Sequence, residues 1–337
     1  MGNLLKGKVA IVTGSGQGVG RAVAIALADE GAKVITNNRA PVSKNKTNQL
    51  DDAKLARLSR EDREWLDEEL EKLSGDAETT AAAIRAMGGE ATPCYGDIAD
   101  YNAAKAIVDK AVEVYGTVDI VVNAAGSFGF APIEKITEEL WDKVTASKPK
   151  GFFNVIRHAV PYMKKNGWGR ILNCISVAFL GNRVRHAEYC AANAGAVGLT
   201  RGLAWELFED GITVNTFAPT ARTRASLDMQ LFNKTVDEDA MSTKDGTPLA
   251  MYNDTPLPEL FAPFIAWLVS DEAKDVTGTV FHTSGGTIRR YSDPAVVAEM
   301  KNPGGWTVED VMKTAPETLF KDYKSIVKSS FDPYAAK

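Results

Sequence analysis

Short apolar runs ending at glycine alternate along this chain with longer stretches whose alanine and aliphatic positions recur at helical spacing. "KVAIVTG" (8–14) reads as a strand and "GRAVAIALADEGA" (20–32) as the helix that follows. "KVITNN" (33–38), "AETTAAAIRAMGG" (77–89) and "EATPCYGDI" (90–98) repeat the cycle, as do "NAAKAIVDKAVEVYG" (102–116) and "VDIVVNAAG" (118–126). Later, "WGRILNCIS" (168–176) and "GITVNTFAP" (211–219) are strands on either side of the helix "AANAGAVGLTRGLAWELF" (191–208). Apolar strands of about five residues alternating with helices predict an α/β fold, with one doubly wound parallel sheet of Rossmann type covered on both faces.

Two stretches break the rhythm. Residues 41–75 interrupt the second strand and its helix, and from about Leu50 they read as charged helix with Leu55, Leu58, Trp65, Leu66, Leu70 and Leu73 as an apolar stripe. The expectation is a surface excursion packed on one edge, with a lid or a subunit contact as the alternative. The tail, 289–337, has scattered aromatics and little periodicity. The domain expectation is therefore one α/β domain over 1–288, with 41–75 as a helical insertion, and a C-terminal extension over 289–337.

Composition narrows the classes. The chain has 337 residues, 45% hydrophobic and 25% charged, with a net charge of -5. That balance argues against nucleic acid or an anionic membrane as the main partner. The start, "MGNLLKGKVAIVTG", lacks the pattern of a signal peptide, and no apolar run reaches a spanning length, so a cytoplasmic protein is expected. Cys94, Cys174 and Cys190 show no CxxC spacing, and His158, His186 and His282 make no ligand pattern, so no metal is expected.

The chemistry begins at "VTGSGQGVGRA", where Gly14, Gly18 and Gly20 stand between the first strand and the first helix. A tight turn, a close backbone approach to a pyrophosphate and a free helix N-terminus require such residues there. At the end of the second strand stand Asn38 and Arg39 rather than a carboxylate. An amide beside a guanidinium favours a 2′-phosphate, with Lys44 and Lys46 adding to the field, so NADP(H) is expected over NAD(H).

With these pieces in place, the chain resembles a classical short-chain dehydrogenase/reductase. The matching segments are "TGSGQGVG" (13–20), "GDI" (96–98), "NAAG" (123–126), "SVAFLGNRVRHAEY" (176–189) and "VNTFAP" (214–219). The insertion, "FAPTARTR" and the tail are similar to the 3-hydroxyacyl-CoA dehydrogenase units of peroxisomal multifunctional enzymes. The cofactor set that this implies is Gly14, Ser15, Gln17, Gly18, Val19, Gly20, Asn38, Arg39, Asp97, Ile98, Asn123, Ala124, Ala125, Gly126, Pro219 and Thr220. By the resemblance, Asp97 and Ile98 border the adenine, and Asn123 to Gly126 line the cofactor and brace the sheet.

In this family a serine, a tyrosine, a lysine and an asparagine cooperate. Ser176 precedes Tyr189 at the required spacing, but the lysine position holds Asn193, and the asparagine position, in "WDKVTASKPKG", holds Lys148. The two residues stand exchanged. Tyr189 is then the acid that protonates the carbonyl oxygen, Ser176 its hydrogen-bond partner, and Lys148 the substitute cation from the opposite helix. An unassisted tyrosine, with a pKa near ~10, is a competent acid but a scarce base at neutral pH, so reduction should suffer less than oxidation from a lost lysine.

Arg183, Arg185, Arg222 and Arg224 are candidates to receive an anionic substrate such as a CoA ester. The expected function is NAD(P)(H)-dependent reduction of a ketone, or oxidation of the matching secondary alcohol. The alternatives are a catalytically silent subunit beside an active homologue, and a non-redox lyase or dehydratase. By resemblance the chain forms a homodimer or homotetramer, with a heteromer as the variant.

Overall fold

The computed structural model describes residues 2–41, 52–182, 185–235 and 252–323, with backbone alone over 231–235. Lys44 and Lys46 of the insertion, and Arg183, lie outside the described residues. The chain divides into two compact units, Met1–Tyr291 and Ser292–Lys337.

The first unit is built on one eight-stranded sheet in the order β3-β2-β1-β4-β5-β6-β7-β8. Its strands are β1 (Val9–Thr13), β2 (Lys33–Asn38), β3 (Glu90–Tyr95), β4 (Ile120–Asn123), β5 (Gly169–Cys174), β6 (Ile212–Pro219), β7 (Val280–Ser284) and β8 (Thr287–Arg290). All neighbours are parallel except β7 and β8, which pair antiparallel at one edge. Every residue of β1, β4 and β5 is buried, and β1 and β4 accordingly read as nearly continuous apolar runs. Pro93, which cannot donate to a ladder, sits in β3 at the other edge.

The helices are α1 (Gly18–Asp29), α2 (Asp52–Leu55), α3 (Arg60–Lys72), α4 (Ala77–Ala86), α5 (Tyr101–Tyr115), α6 (Glu138–Thr145), α7 (Gly151–Asn166), α8 (Ala187–Leu207), α9 (Arg224–Thr235) and α10 (Ala262–Leu268). Val23, Leu27 and Ile84 from α1 and α4 join Val12, Val34, Phe261 and Ile265 in the main apolar cluster. None of the described helices is long and apolar enough to cross a membrane. In the second unit, α11 (Val308–Thr314) starts at a reciprocal cap between Thr307 and Asp310.

The insertion departs from the edge excursion expected of it. Leu58, Leu66 and Leu70 are buried in a second cluster with Leu227 of α9 and Tyr252, and Leu55, Trp65, Leu73, Phe130 and Met229 pack against it. Its stripe therefore faces the carboxyl end of the sheet. Sequence spacing identified the stripe but not its partners, because Leu227, Met229 and Tyr252 lie more than 150 positions downstream and Phe130 more than 50.

Candidate active site

Parallel strands of this order leave a crevice at their carboxyl ends, and the glycine segment lies there between β1 and α1. Gly14 has φ +63°, and a Cβ on it would stand 2.7 Å from the Ala125 Cα. Gly18 has φ +53°, and a Cβ there would meet Thr223 Cγ2 at 3.2 Å, so the segment after β6 lies beside the turn. A Cβ on Gly20 would collide with the Gly14 carbonyl, and one on Gly16 with Asn38 Oδ1. At these glycines the chain segments around the turn approach more closely than a side chain would allow.

The polar groups around that space suit a dinucleotide. No side chain caps the N-terminus of α1, so its first amides are left for an anion. Gln17 Oε1 and Asn38 Oδ1 are enclosed yet have no hydrogen-bond partner among the described residues. Arg39 is exposed just past β2. Asp76, the cap of α4, accepts from Thr79 N at 3.0 Å and from Tyr95 Oη at 3.0 Å, and its backbone adjoins Gly16. A nicotinamide dinucleotide fits this cradle, with Gln17, Asn38 and the α1 amides as the groups that would hold it.

Other members of the expected cofactor set have local duties. The Ser15 hydroxyl is fully buried and accepts from Asn37 N at 2.8 Å, which ties the turn to β2. Thr13 Oγ1 accepts from Ala124 N and Ala125 N at 3.1 and 3.2 Å. Val19 and Ala124 pack against the main cluster. Asn123 Nδ2 donates to Asn173 Oδ1 at 2.9 Å, joining β4 to β5, while its own Oδ1 stays enclosed without a partner. Asp97 Oδ1 accepts from Ala99 N at 3.0 Å, and the Ile98 carbonyl accepts from Asn154 Nδ2 at 2.8 Å. Gly126 is exposed and faces the Lys148 side chain.

Pro219 ends β6, and Thr220 meets His282 Nε2 at 3.1 Å. Arg289 Nη1 stands 3.3 Å from His282 Nδ1. A guanidinium only donates, so Nδ1 accepts and Nε2–H donates to the Thr220 hydroxyl. Burial, reinforced by the Arg289 charge, lowers the His282 pKa to about 4, which keeps the ring neutral.

The reaction centre gathers four residues named by the sequence. Ser176 follows β5 and Tyr189 lies in the first turn of α8. Asn193 is wholly buried, accepts from Ser176 N at 2.8 Å and donates through Nδ2 to the Tyr189 carbonyl at 2.7 Å. It is a stitch between the two main chains. Lys148 has extended angles (φ -145°, ψ 129°) among helical neighbours between α6 and α7, which takes its side chain off the helix line. It is 4% exposed; its ammonium donates to the Cys174 carbonyl at 2.6 Å and lies 5.9 Å from the centre of the Tyr189 ring. Lys148, from between α6 and α7, and Tyr189, from α8, thus approach each other beside the end of β5.

Several residues of the substrate side were not singled out by the sequence. Phe128 lies 6.1 Å from Tyr189 and Phe130 4.8 Å from His186, centre to centre, with His186 6.0 Å from Tyr189. Glu188 is buried; Oε1 accepts from Gly129 N at 3.2 Å, and Oε2 is enclosed without a partner among the described residues. Burial raises its pKa above the usual carboxylate value, against backbone N–H groups that lower it. "GSFGF" (126–130), two aromatics interleaved with glycine after a strand, was the available signal for the phenylalanines.

The arginines expected at the opening are engaged by the insertion and its neighbours. Arg222 Nη2 donates to the Asn253 carbonyl at 2.8 Å, and its guanidinium lies 5.4 Å from the Tyr252 ring centre. Tyr252 Oη in turn donates to Glu69 Oε2 of α3 at 2.7 Å. Arg224 Nη2 donates to the Leu73 carbonyl at 3.4 Å, and burial lowers its pKa against the opposing pull of Asp228. Arg185 has φ +61°, and its carbonyl accepts from Ala131 N at 3.0 Å.

Comparison with known proteins places this arrangement. Residues 8–62 match the family described as short chain dehydrogenase, and residues 70–287 the one described as Enoyl-(Acyl carrier protein) reductase. The 3-oxoacyl-[acyl-carrier-protein] reductase FabG of Staphylococcus aureus is 31% identical over 280 residues, 83% of this chain and 97% of the relative. FabG of Thermotoga maritima is 31% identical over 284 residues, 84% and 99% of the two chains. The crystal structure of a short chain dehydrogenase from Mycobacterium avium superposes with a TM-score of 0.73 at 33% identity, covering 96% of this chain and 98% of that one.

Proposed function

The chain belongs to the short-chain dehydrogenase/reductase family, and from that premise we propose that it reduces a ketone to a secondary alcohol with NADPH. The observation that carries the proposal is the buried Lys148 ammonium at 5.9 Å from the Tyr189 ring. It supports a working site in which the missing lysine is replaced from the other helix.

Held by Gln17, Asn38 and the first amides of α1, a reduced nicotinamide dinucleotide would supply the hydride for the carbonyl carbon. Tyr189 donates its phenolic proton to the carbonyl oxygen and regains one from solvent. Ser176 hydrogen-bonds the same oxygen as negative charge grows on it. Lys148, held by the Cys174 carbonyl, stabilises that charge and the phenolate left on Tyr189. Asn193 keeps Ser176 and Tyr189 in register through both main chains. At the adenosine end, the Asn38 amide does not repel a 2′-phosphate and the exposed Arg39 can pair with it, which favours NADPH over NADH.

A silent subunit would have no need for an ammonium buried beside the tyrosine, since a buried charge is costly unless it is used or paired. Phe153 of α7 and Trp205 of α8 are exposed, which favours assembly of copies through those helices.

Titration with NADPH and NADH by cofactor fluorescence, followed by a ketone screen, tests the reading. Lys148→Met keeps the bulk and removes the charge. It should lower kcat for reduction by about 10²-fold or more, with cofactor affinity changed far less. A variant that reduced ketones at the native rate would remove Lys148 from the mechanism.

A further inference from the structure

The substrate side of the site carries a chemical preference that the family does not set. Three independent features converge on it. The first is apolar. Phe128 and Phe130 approach Tyr189 and His186 edge-on, and Phe130 is fixed from behind by the cluster that the insertion forms with α9. An aromatic wall held in this way presents flat apolar surface at little entropic cost.

The second is the engagement of cationic groups. Arg222 and Arg224 donate to the carbonyls of Asn253 and Leu73 and face the charges of Glu69 and Asp228, so neither guanidinium is unopposed where an incoming anion would bind. The third is the acid behind the wall. Glu188 is buried under the loop that bears the phenylalanines, and Asp228 of α9 is 1% exposed. Neither adds a cation for an anionic substrate, and Asp228 sets its charge against Arg224.

Resting on the carbonyl-reducing reading above, we propose that the substrate is an uncharged ketone bearing an apolar ring. The ring packs on Phe128 and Phe130 with the carbonyl toward Tyr189. A thioester on an anionic carrier, the substrate type in the names of the FabG relatives, is disfavoured. The insertion contributes to both features, because its cluster fixes Phe130, its Leu73 carbonyl accepts from Arg224 and its Glu69 faces Arg222.

Calorimetry on the full chain saturated with NADP⁺ tests this without turnover. The probes are 1-tetralone, a neutral ring ketone, and acetoacetyl-CoA, an anionic thioester. The neutral ketone should bind at least about tenfold more tightly, and Phe130→Ala should erase most of that margin. Tighter binding of acetoacetyl-CoA, or binding of the ketone that Phe130→Ala leaves unchanged, would overturn the proposal, as would no binding of the ketone. Failure of the reductase reading shows differently: the ketone binds with the stated preference, yet NADPH is not consumed.

Discussion

The two halves of the crevice are built by different means. On the side proposed for the cofactor, shape comes from the backbone: Gly14, Gly16, Gly18 and Gly20 let chain segments approach closely, and Thr13 and Ser15 tie the turn to β4 and β2. On the substrate side, shape comes from side chains of segments far apart in sequence. Residues 55–73, 126–131, 186–189, 222–229 and 252 form one continuous packing. A backbone-built site tolerates change around it but none within it. A side-chain-built site can be remade by one inserted helix.

The sharpest way to break that contrast is within the cradle. Gly20→Val puts branched carbon against the Gly14 carbonyl and should weaken cofactor binding by at least about 10²-fold in a fluorescence titration. Unchanged affinity would mean that the turn does not hold the pyrophosphate. On the other side, Leu70→Ala opens a cavity between α3 and α9 and should cost about 2–5 kcal/mol. Here the expected signature is a lower urea midpoint and a raised KM for ketone, with the cofactor Kd within about twofold. A matched fall in cofactor affinity would merge the two halves into one unit.

His282 lies at the seam, behind Thr220. Its pKa is about 4 in the fold and about 6.5 in the unfolded chain, so the unfolded chain binds the extra proton between those values. Stability is therefore full above about pH 6.5 and falls on acidification toward pH 4, by about 2 kcal/mol between pH 7 and pH 5. Chemical denaturation at those two pH values should show the loss, and His282→Gln should remove most of it. The smallest effect concerns Asp76, whose backbone adjoins Gly16 and whose carboxylate accepts from Tyr95, the partner of Asn38 in the sheet, where it would oppose a 2′-phosphate. Asp76→Asn should improve the NADPH-to-NADH affinity ratio by a few-fold, about 1 kcal/mol, while its cap on α4 largely survives.

What could be read in the sequence follows the same division. The alternation of strands and helices, the glycine turn and the Ser176–Tyr189 spacing are local patterns, and the sheet from β1 to β6 follows from them. β7 and β8 escaped because "VFHTS" and "TIRR" are short and mix Thr, Ser, His and Arg among few aliphatics. α7 was masked by Pro149 just before it and Pro161 within it. Lys148 and Asn193 could be matched by position, but the approach of the ammonium to Tyr189 depends on one extended residue between two helices. The destination of the insertion stripe had no local signal, since its partners lie in α9 and at Tyr252.

The Asn193 amide also shapes the mutational routes open to this site. It joins the Ser176 N–H to the Tyr189 carbonyl, so Asn193→Lys breaks two main-chain ties and adds a second ammonium near the first. Lys148→Asn alone leaves the tyrosine with no cation. If Lys148 serves Tyr189 as proposed, the two substitutions made together should be less damaging than the two single losses added, which a double-mutant cycle on ketone reduction would measure.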